Sequence, residues 1–196
     1  MKKGVLIVIS GPSGSGKGSI VKELLQDIQY ALSVSVTTRP PREFEVEGEH
    51  YFFRTEEEFK RMIEAGELLE YTNFCNNFYG TPKVYLEEQL TAGRNIILEI
   101  EVEGAMNVKR IYPDAVFIFI VPPTMDVLEE RLRLRGSEDD ETIKRRLLEA
   151  ENELSSIKNY DYVVVNDVLE TAIADIKTII SAEHMASKRF ALEIDN

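Results

Sequence analysis

Ser10-Gly11-Pro12-Ser13-Gly14-Ser15-Gly16-Lys17-Gly18-Ser19 follows an unbroken apolar run, Val5 to Ile9, and precedes a helical pattern through Leu24 and Leu25. The spacing of Gly11, Gly16 and Lys17 is that of a phosphate-binding loop. Its glycines let successive backbone N–H groups converge on an anion, the helix starting near Gly16 turns its positive end inward, and Lys17 sets a point charge between two phosphates. Residues Gly11 through Ser19 are therefore the candidate triphosphate site. One position departs from the strict pattern: Gly18 stands where a hydroxyl is expected, and Ser19 comes one place later. A direct side-chain ligand for magnesium is thereby missing at Gly18. Ser19 is assigned to a phosphate oxygen, leaving the ion to water, nucleotide oxygens and a carboxylate elsewhere, and no protein metal ligand is named.

Moving a phosphoryl group onto a second phosphate brings two anions together, so the protein must mainly position and neutralise. Further cations stand in two places. Thr38-Arg39-Pro40-Pro41-Arg42 presents two guanidinium groups on a stiff turn, and guanidinium forks match phosphate oxygens better than an ammonium does. Arg131, Arg133, Arg135, Arg145 and Arg146 flank the turn Gly136-Ser137; of these, Arg131, Arg135 and Arg146 are candidates to close over the donor phosphates. The competing reading is that such helix arginines pair with neighbours such as Glu129 or Glu149 on a solvated face.

The apolar runs Val5 to Ile9, Asn95 to Ile100, Val116 to Val121 and Tyr162 to Val165 each read as a strand buried on both faces, with helical patterns between most of them. An α/β fold around a parallel sheet follows. A further strand is expected over Tyr30 to Val36, with Ser33 and Ser35 sharing an exposed face and Ser35 available to a ligand. Between Thr37 and Gly93 the Pro40-Pro41 break, the aromatic strand His50 to Phe53 and a helix from Thr55 to Glu64, opened by a capping box of Thr55 and Glu58, read as an α+β insertion. Met125 to about Leu148 reads as a helical hairpin acting as a lid, and Ile173, Ile176, Ile179 and Ile180 mark a terminal helix packed on the sheet. The expected division is a core of residues 1–36, 93–124 and 149–196, an insertion 37–92 and a lid 125–148.

Composition narrows the function classes. A net charge of −12 over 196 residues argues against a nucleic-acid partner. The single cysteine, Cys75, excludes an intrachain disulfide and is expected to be small and half-buried. Neither a signal segment nor a membrane-length apolar run is evident, so a cytoplasmic protein without a membrane partner is expected. His50 and His184, the only histidines, stand far apart and are expected at the surface.

Several ordered segments together resemble the guanylate kinase family over nearly the whole chain: the loop Gly11 to Lys17, Ser33 to Arg42, Gly48 to Phe53, Phe78-Tyr79-Gly80-Thr81, Arg131 to Gly136, Arg145-Arg146-Leu147 and Val165-Asn166-Asp167. The resemblance implies a P-loop kinase core with an α+β acceptor-nucleotide insertion and a helical lid. It implies transfer of phosphate from ATP, with Mg2+, to GMP, giving ADP and GDP for guanine nucleotide recycling and supply. Arg39, Arg42, Tyr51 and Tyr79 would hold the acceptor phosphate, while Ser35, Glu70 and Thr81 would read the base. Lys17, Arg39, Arg135 and Arg146 would be the catalytic cations, and Asn166 would lie near adenine through its backbone. Glu99 and Glu101 stand where the family commonly carries aspartates, and the resemblance extends to them a role beside the acceptor nucleotide or a magnesium-bound water.

Two other readings remain at this level. One keeps the chemistry with a different phosphorylated acceptor; the other is a non-catalytic guanylate kinase-like interaction module, against which the Lys17 loop and the lid arginines weigh. The sequence leaves the oligomeric state unassigned.

Overall fold

The computed structural model describes residues 3–74, 76–134 and 139–189. Expectations for Cys75, Arg135, the turn Gly136-Ser137 and the chain after Arg189 lie outside these residues. Two compact units divide the chain. The first holds the described residues through Val8 together with Ile28–Ala115, and the second holds Ile9–Asp27 with the described residues from Val116 onward.

A five-stranded sheet has the order β2-β7-β1-β8-β9, comprising Tyr30–Leu32, Asn95–Glu99, Leu6–Ser10, Val116–Val121 and Tyr162–Val165. Strand β1 contributes its first residues to the first unit and its last to the second. The pairs β2/β7 and β8/β9 are parallel. β1 and β8 are nearly continuous apolar runs and almost wholly buried, as helices on both faces require. β9 departs from that expectation. It is an edge strand whose Val163 and Val165 are 46% and 50% exposed, and only one of its faces is covered, by α7 (Leu169–Met185).

The stretch from Tyr30 to Val36 is not one strand. It ends as β2 at Leu32 and resumes as β3 (Ser35–Thr37) in a second, four-stranded sheet of order β4-β3-β6-β5, with β4 Tyr51–Phe53, β5 Leu68–Phe74 and β6 Asn77–Pro82. Different partners cause the break: β2 pairs with β7, whereas β3 pairs with β4 in parallel and β6 in antiparallel fashion. Ser33, at the crossing, is buried rather than exposed, and Ser35 remains accessible.

Helix α2 (Glu56–Glu64) starts at Thr55, whose side chain accepts from the Glu58 N–H while the Glu58 carboxylate accepts from the Thr55 N–H. Its Phe59 is fully buried against Val36 and Leu68 and stacks on Phe78 at 5.3 Å, fastening the helix to the four-stranded sheet. α3 (Lys83–Thr91) packs beside β7, and α4 (Val102–Ile111) beside β5.

In the second unit α1 (Lys17–Leu24) lies against α7. Helices α5 (Met125–Leu134) and α6 (Asp140–Leu154) pair through Leu128, Leu132, Ile143 and Ala150, with Met125 and Leu147 at the margin, so the hairpin is held by an apolar seam of its own. His50 is exposed as expected, whereas His184 is half-buried because α7 carries it beside the buried Glu183.

Candidate functional site

Within the second unit the loop from Gly11 to Gly16 joins β1 to α1. Gly11, Gly14 and Gly16 have positive φ of 147°, 93° and 89°. At Gly11 a Cβ would lie 2.1 Å from the Ile120 carbonyl oxygen of β8, so only glycine permits this close pass. The Lys17 ammonium folds back over the loop and donates to the carbonyls of Gly11 and Pro12. From α6, Arg146 Nη1 donates to Ser13 Oγ at 2.6 Å, and from the segment after β9 the Asn166 side chain donates to the Ser15 carbonyl at 2.8 Å. The Ser15 hydroxyl and Arg131 Nη1 are buried with no hydrogen-bond partner among the described residues. Gly18 and Ser19 are exposed on the first turn of α1. A ring of backbone donors at a helix start, one ammonium and an inward guanidinium make an anion cradle suited to a polyphosphate.

The arginines of the hairpin divide into two kinds. Arg133 binds Glu129 and Asp140, both at the surface, and Arg145 lies 4.0 Å from Glu149. These match the solvated-face reading. Arg131 and Arg146 are half-buried instead, and Arg146 reaches the loop.

The first unit contains a cavity of about 280 Å³ lined by Ser35, Tyr51, Glu70, Thr72, Asn73, Tyr79, Gly80, Glu99, Ile100, Glu101, Glu103 and Gly104. The curled sheet supplies its wall, and the end of β7 with the first turn of α4 supplies its rim. Glu70 is 6% exposed, and burial pushes its carboxyl up to about 7, against the lowering effect of the Thr81 hydroxyl that donates to Oε1 at 2.8 Å. The antiparallel β5/β6 hairpin brings the two residues together, with a register shift between Leu68 and Tyr71. Thr81, expected to read the base, is fully buried and donates to Glu70 on the cavity wall.

Arg39 sits with its guanidinium 5.5 Å from the Tyr51 ring centre, and Tyr51 packs edge-on to Tyr79 at 6.1 Å. Its Nη2 donates to Glu45 at 2.8 Å and its Nη1 to the Pro40 carbonyl, while the other Glu45 oxygen accepts from the Arg42 N–H at 2.8 Å. Glu45 is held down to about 2, first by Arg39 and then by the Arg42 backbone. The Arg39 guanidinium is raised, chiefly by Glu45 and further by its hydrogen bond to Tyr79, with burial opposing. Burial also raises the Tyr51 phenol. Arg42 is exposed.

Ser35, Tyr51, Glu70, Tyr79, Glu99 and Glu101 thus come together around one cavity, and Arg39 stands beside its tyrosines. Sequence reasoning did not single out Glu45, nor Thr72 and Asn73. Glu45 lies in the alternating stretch Glu43-Phe44-Glu45-Val46-Glu47, where nothing local to it announces a guanidinium partner.

The family model "Guanylate kinase" matches residues 3–183. The chain is 51% identical to a guanylate kinase of Desulfitobacterium hafniense, covering 95% of this chain and 94% of that one. It is 49% identical to a guanylate kinase of Oceanobacillus iheyensis, covering 97% and 93%. The crystal structure of guanylate kinase from Anaplasma phagocytophilum superposes with a TM-score of 0.78 at 36% identity, covering 96% of this chain and 90% of that one. A match of this length and identity, on a chain that carries the loop and the cavity in order, admits one conclusion: this chain belongs to the guanylate kinase family.

Proposed function

We propose that the chain catalyses ATP + GMP = ADP + GDP, with the donor triphosphate on the Gly11–Ser19 loop and the acceptor in the cavity around Glu70. The observation that carries this reading is the buried carboxylate, 6% exposed, in a cavity of nucleobase size. The Watson–Crick edge of guanine offers two adjacent N–H donors beside a carbonyl, so one carboxylate accepts both and the Ser35 hydroxyl donates to the oxygen. Adenine would set an acceptor against the carboxylate, an unpaired buried contact worth about 3 kcal/mol of discrimination. Thr81 acts on the base through Glu70, which it orients. Arg39, Arg42, Tyr51 and Tyr79 receive the acceptor phosphate, and Glu99 and Glu101 face the nucleotide from the rim.

No general base is required, because a phosphate monoester, with a second pKa of about 6, is already ionised at neutral pH. The residues' work is therefore alignment and charge neutralisation: Lys17, Arg146 and Arg131 at the donor phosphates, Arg39 at the acceptor, and Arg135 in the same set. Mg2+ would come with ATP and be held by nucleotide oxygens and water, with Ser19, the exposed hydroxyl of the first turn, on a phosphate oxygen. When bound, it neutralises the phosphate oxygens between which charge moves. In functional terms residues 37–92 form the acceptor domain, 125–148 the lid, and the remainder the core, the lid excluding water that would otherwise take the phosphoryl group. No helix among the described residues is long and apolar enough to cross a membrane, and a cytoplasmic site of action is part of this reading.

A coupled assay of ADP release with ATP, Mg2+ and each of GMP, AMP, CMP and UMP tests it. Turnover is expected with GMP alone. Equal rates with AMP would remove Glu70 as the base reader, and no turnover with any monophosphate would favour an interaction module.

A further inference from the structure

We infer that Asn166 is a positioning residue of the donor loop, whose side-chain amide fixes the Ser15–Gly16 peptide plane and thereby the direction of the Gly16 N–H. This goes beyond a backbone contact near adenine and rests on the loop being a triphosphate cradle.

Asn166 is 6% exposed, and its Nδ2 donates to the Ser15 carbonyl at 2.8 Å. Its own backbone is fixed, because its N–H donates at 2.8 Å to the Val121 carbonyl at the end of β8. The amide is thus held by the sheet rather than by a free loop. It also occupies the space beside Gly16, where an added Cβ would lie 2.2 Å from Nδ2 while the backbone holds φ at +89°. In a planar trans peptide the C=O and the following N–H point to opposite sides. Fastening the Ser15 oxygen toward Asn166 therefore turns the Gly16 N–H away from it. That N–H precedes Lys17 at the start of α1, where helix-terminal N–H groups are available to an anion. Without the amide, the Ser15–Gly16 plane is free to rotate about a glycine that tolerates many conformations, and the donor direction is lost with it.

The test uses inorganic tripolyphosphate, which has the phosphates of ATP and no adenine. Calorimetry of tripolyphosphate and of ATP is compared for the wild type, Asn166→Ala and Asn166→Asp, together with KM for ATP and for GMP. Loss of one buried hydrogen bond predicts about a tenfold weaker affinity in Asn166→Ala, equal for ATP and tripolyphosphate. KM for GMP should stay within about twofold, because the bonds Asn166 makes to Ser15 and Val121 serve the donor loop. Asn166→Asp keeps the volume but sets an acceptor against the carbonyl, so it should be no better than Asn166→Ala. Restoration of both affinities by Asn166→Asp would reduce Asn166 to a packing residue and overturn the inference. So would weakened ATP binding with tripolyphosphate binding unchanged, which would make Asn166 an adenine contact. Wild-type tripolyphosphate binding and its loss in Lys17→Ala report on the cradle separately, so failure of the cradle is read apart from failure of the brace.

Discussion

GMP affinity should fall steeply below neutral pH for a reason located in one side chain. Glu70 rests near pKa 7 in the free cavity because burial penalises its charge more than the Thr81 hydroxyl supports it. Guanine's paired N–H groups need the ionised form. With a free-state pKa of about 7, half of the protein is competent at pH 7 and about a tenth at pH 6, so the apparent Kd should rise about tenfold from its alkaline plateau by pH 6. Below its own pKa of about 6 the GMP phosphate adds a second loss, which the Glu70→Gln variant isolates because it keeps the phosphate term and removes the carboxylate term. Calorimetric titration of GMP between pH 5.5 and 9, in buffers of differing ionisation enthalpy, should show protons released on binding near pH 6.5 by the wild type beyond those released by Glu70→Gln. Identical pH profiles in the two proteins would refute the reasoning. Stability carries the same signature with a fixed sign. The folded-state pKa of about 7 lies above the ordinary 4.5, so ionised Glu70 destabilises the empty fold by about 3 kcal/mol above pH 7, and that penalty is relieved as pH falls toward 4.5. Glu70→Gln should therefore unfold at higher denaturant than wild type at pH 8. Thr81→Val, lacking the donor, should move the acid limb of GMP binding to higher pH.

Lys17→Ala should lower kcat by about a hundredfold or more while leaving GMP Kd near wild type, since its ammonium serves the loop alone; kcat above a tenth of wild type would remove it from the site. Arg146→Ala should lower kcat comparably, whereas Arg133→Ala, which breaks exposed ion pairs, should stay within about twofold in kcat with little change in stability. Steady-state kinetics of the two variants side by side decide the matter, and equal losses would erase the distinction between inward and outward arginines. Glu45→Gln should raise KM for GMP by about tenfold with KM for ATP unchanged, because the Arg39 guanidinium and the Arg42 backbone lose a shared charged acceptor. A lower KM for GMP would instead make Glu45 a competitor for the guanidinium.

The central strands were legible because a strand covered on both faces is an uninterrupted apolar run, and Leu6–Ser10 and Val116–Val121 are such runs. β9 reads the same in sequence, yet its outer residues stay exposed; nothing in Tyr-Val-Val-Val says whether a strand has neighbours on both edges or a helix on both faces. The split of Tyr30 to Val36 between two sheets is equally non-local, fixed by β7 on one side and by β4 and β6 on the other. The donor loop was legible because its residues are contiguous and their conformational demands belong to the residues themselves. Glu70 was not, except through resemblance: Leu68-Leu69-Glu70 resembles any strand end, and its chemistry comes from a threonine across a hairpin and from a cavity wall built by distant elements. The tie from Asn166 to Ser15 spans 151 positions, beyond any local pattern.

The hairpin arginines occupy intermediate ground, and their separation follows from helical phase. The buried seam of α6 runs through Ile143, Leu147 and Ala150. Arg146 lies three residues after Ile143 and four before Ala150, on that seam, whereas Arg145 is one step, about 100°, round toward solvent. In α5 the seam of Leu128 and Leu132 includes Arg131, three residues after Leu128, and leaves Arg133 outside. Exposure agrees at all four positions, with Arg131 and Arg146 half-buried and Arg133 and Arg145 exposed. A cation placed on an apolar seam has its charge desolvated on one side, and such a position is tolerable only where an anion meets it. Arg131 Nη1 is buried with no hydrogen-bond partner among the described residues, and Arg146 Nη1 already donates to the Ser13 hydroxyl of the loop, so both side chains have donors on hand for an anion bound there. A polyphosphate on the loop would accept from both guanidinium groups, which would make ATP a stabiliser of the hairpin as well as a substrate. Hydrogen exchange of α5 and α6 should therefore slow on adding ATP in the wild type, and slow far less in the double variant Arg131→Met with Arg146→Met. Equal protection in both proteins would assign the ordering to contacts other than these two charges.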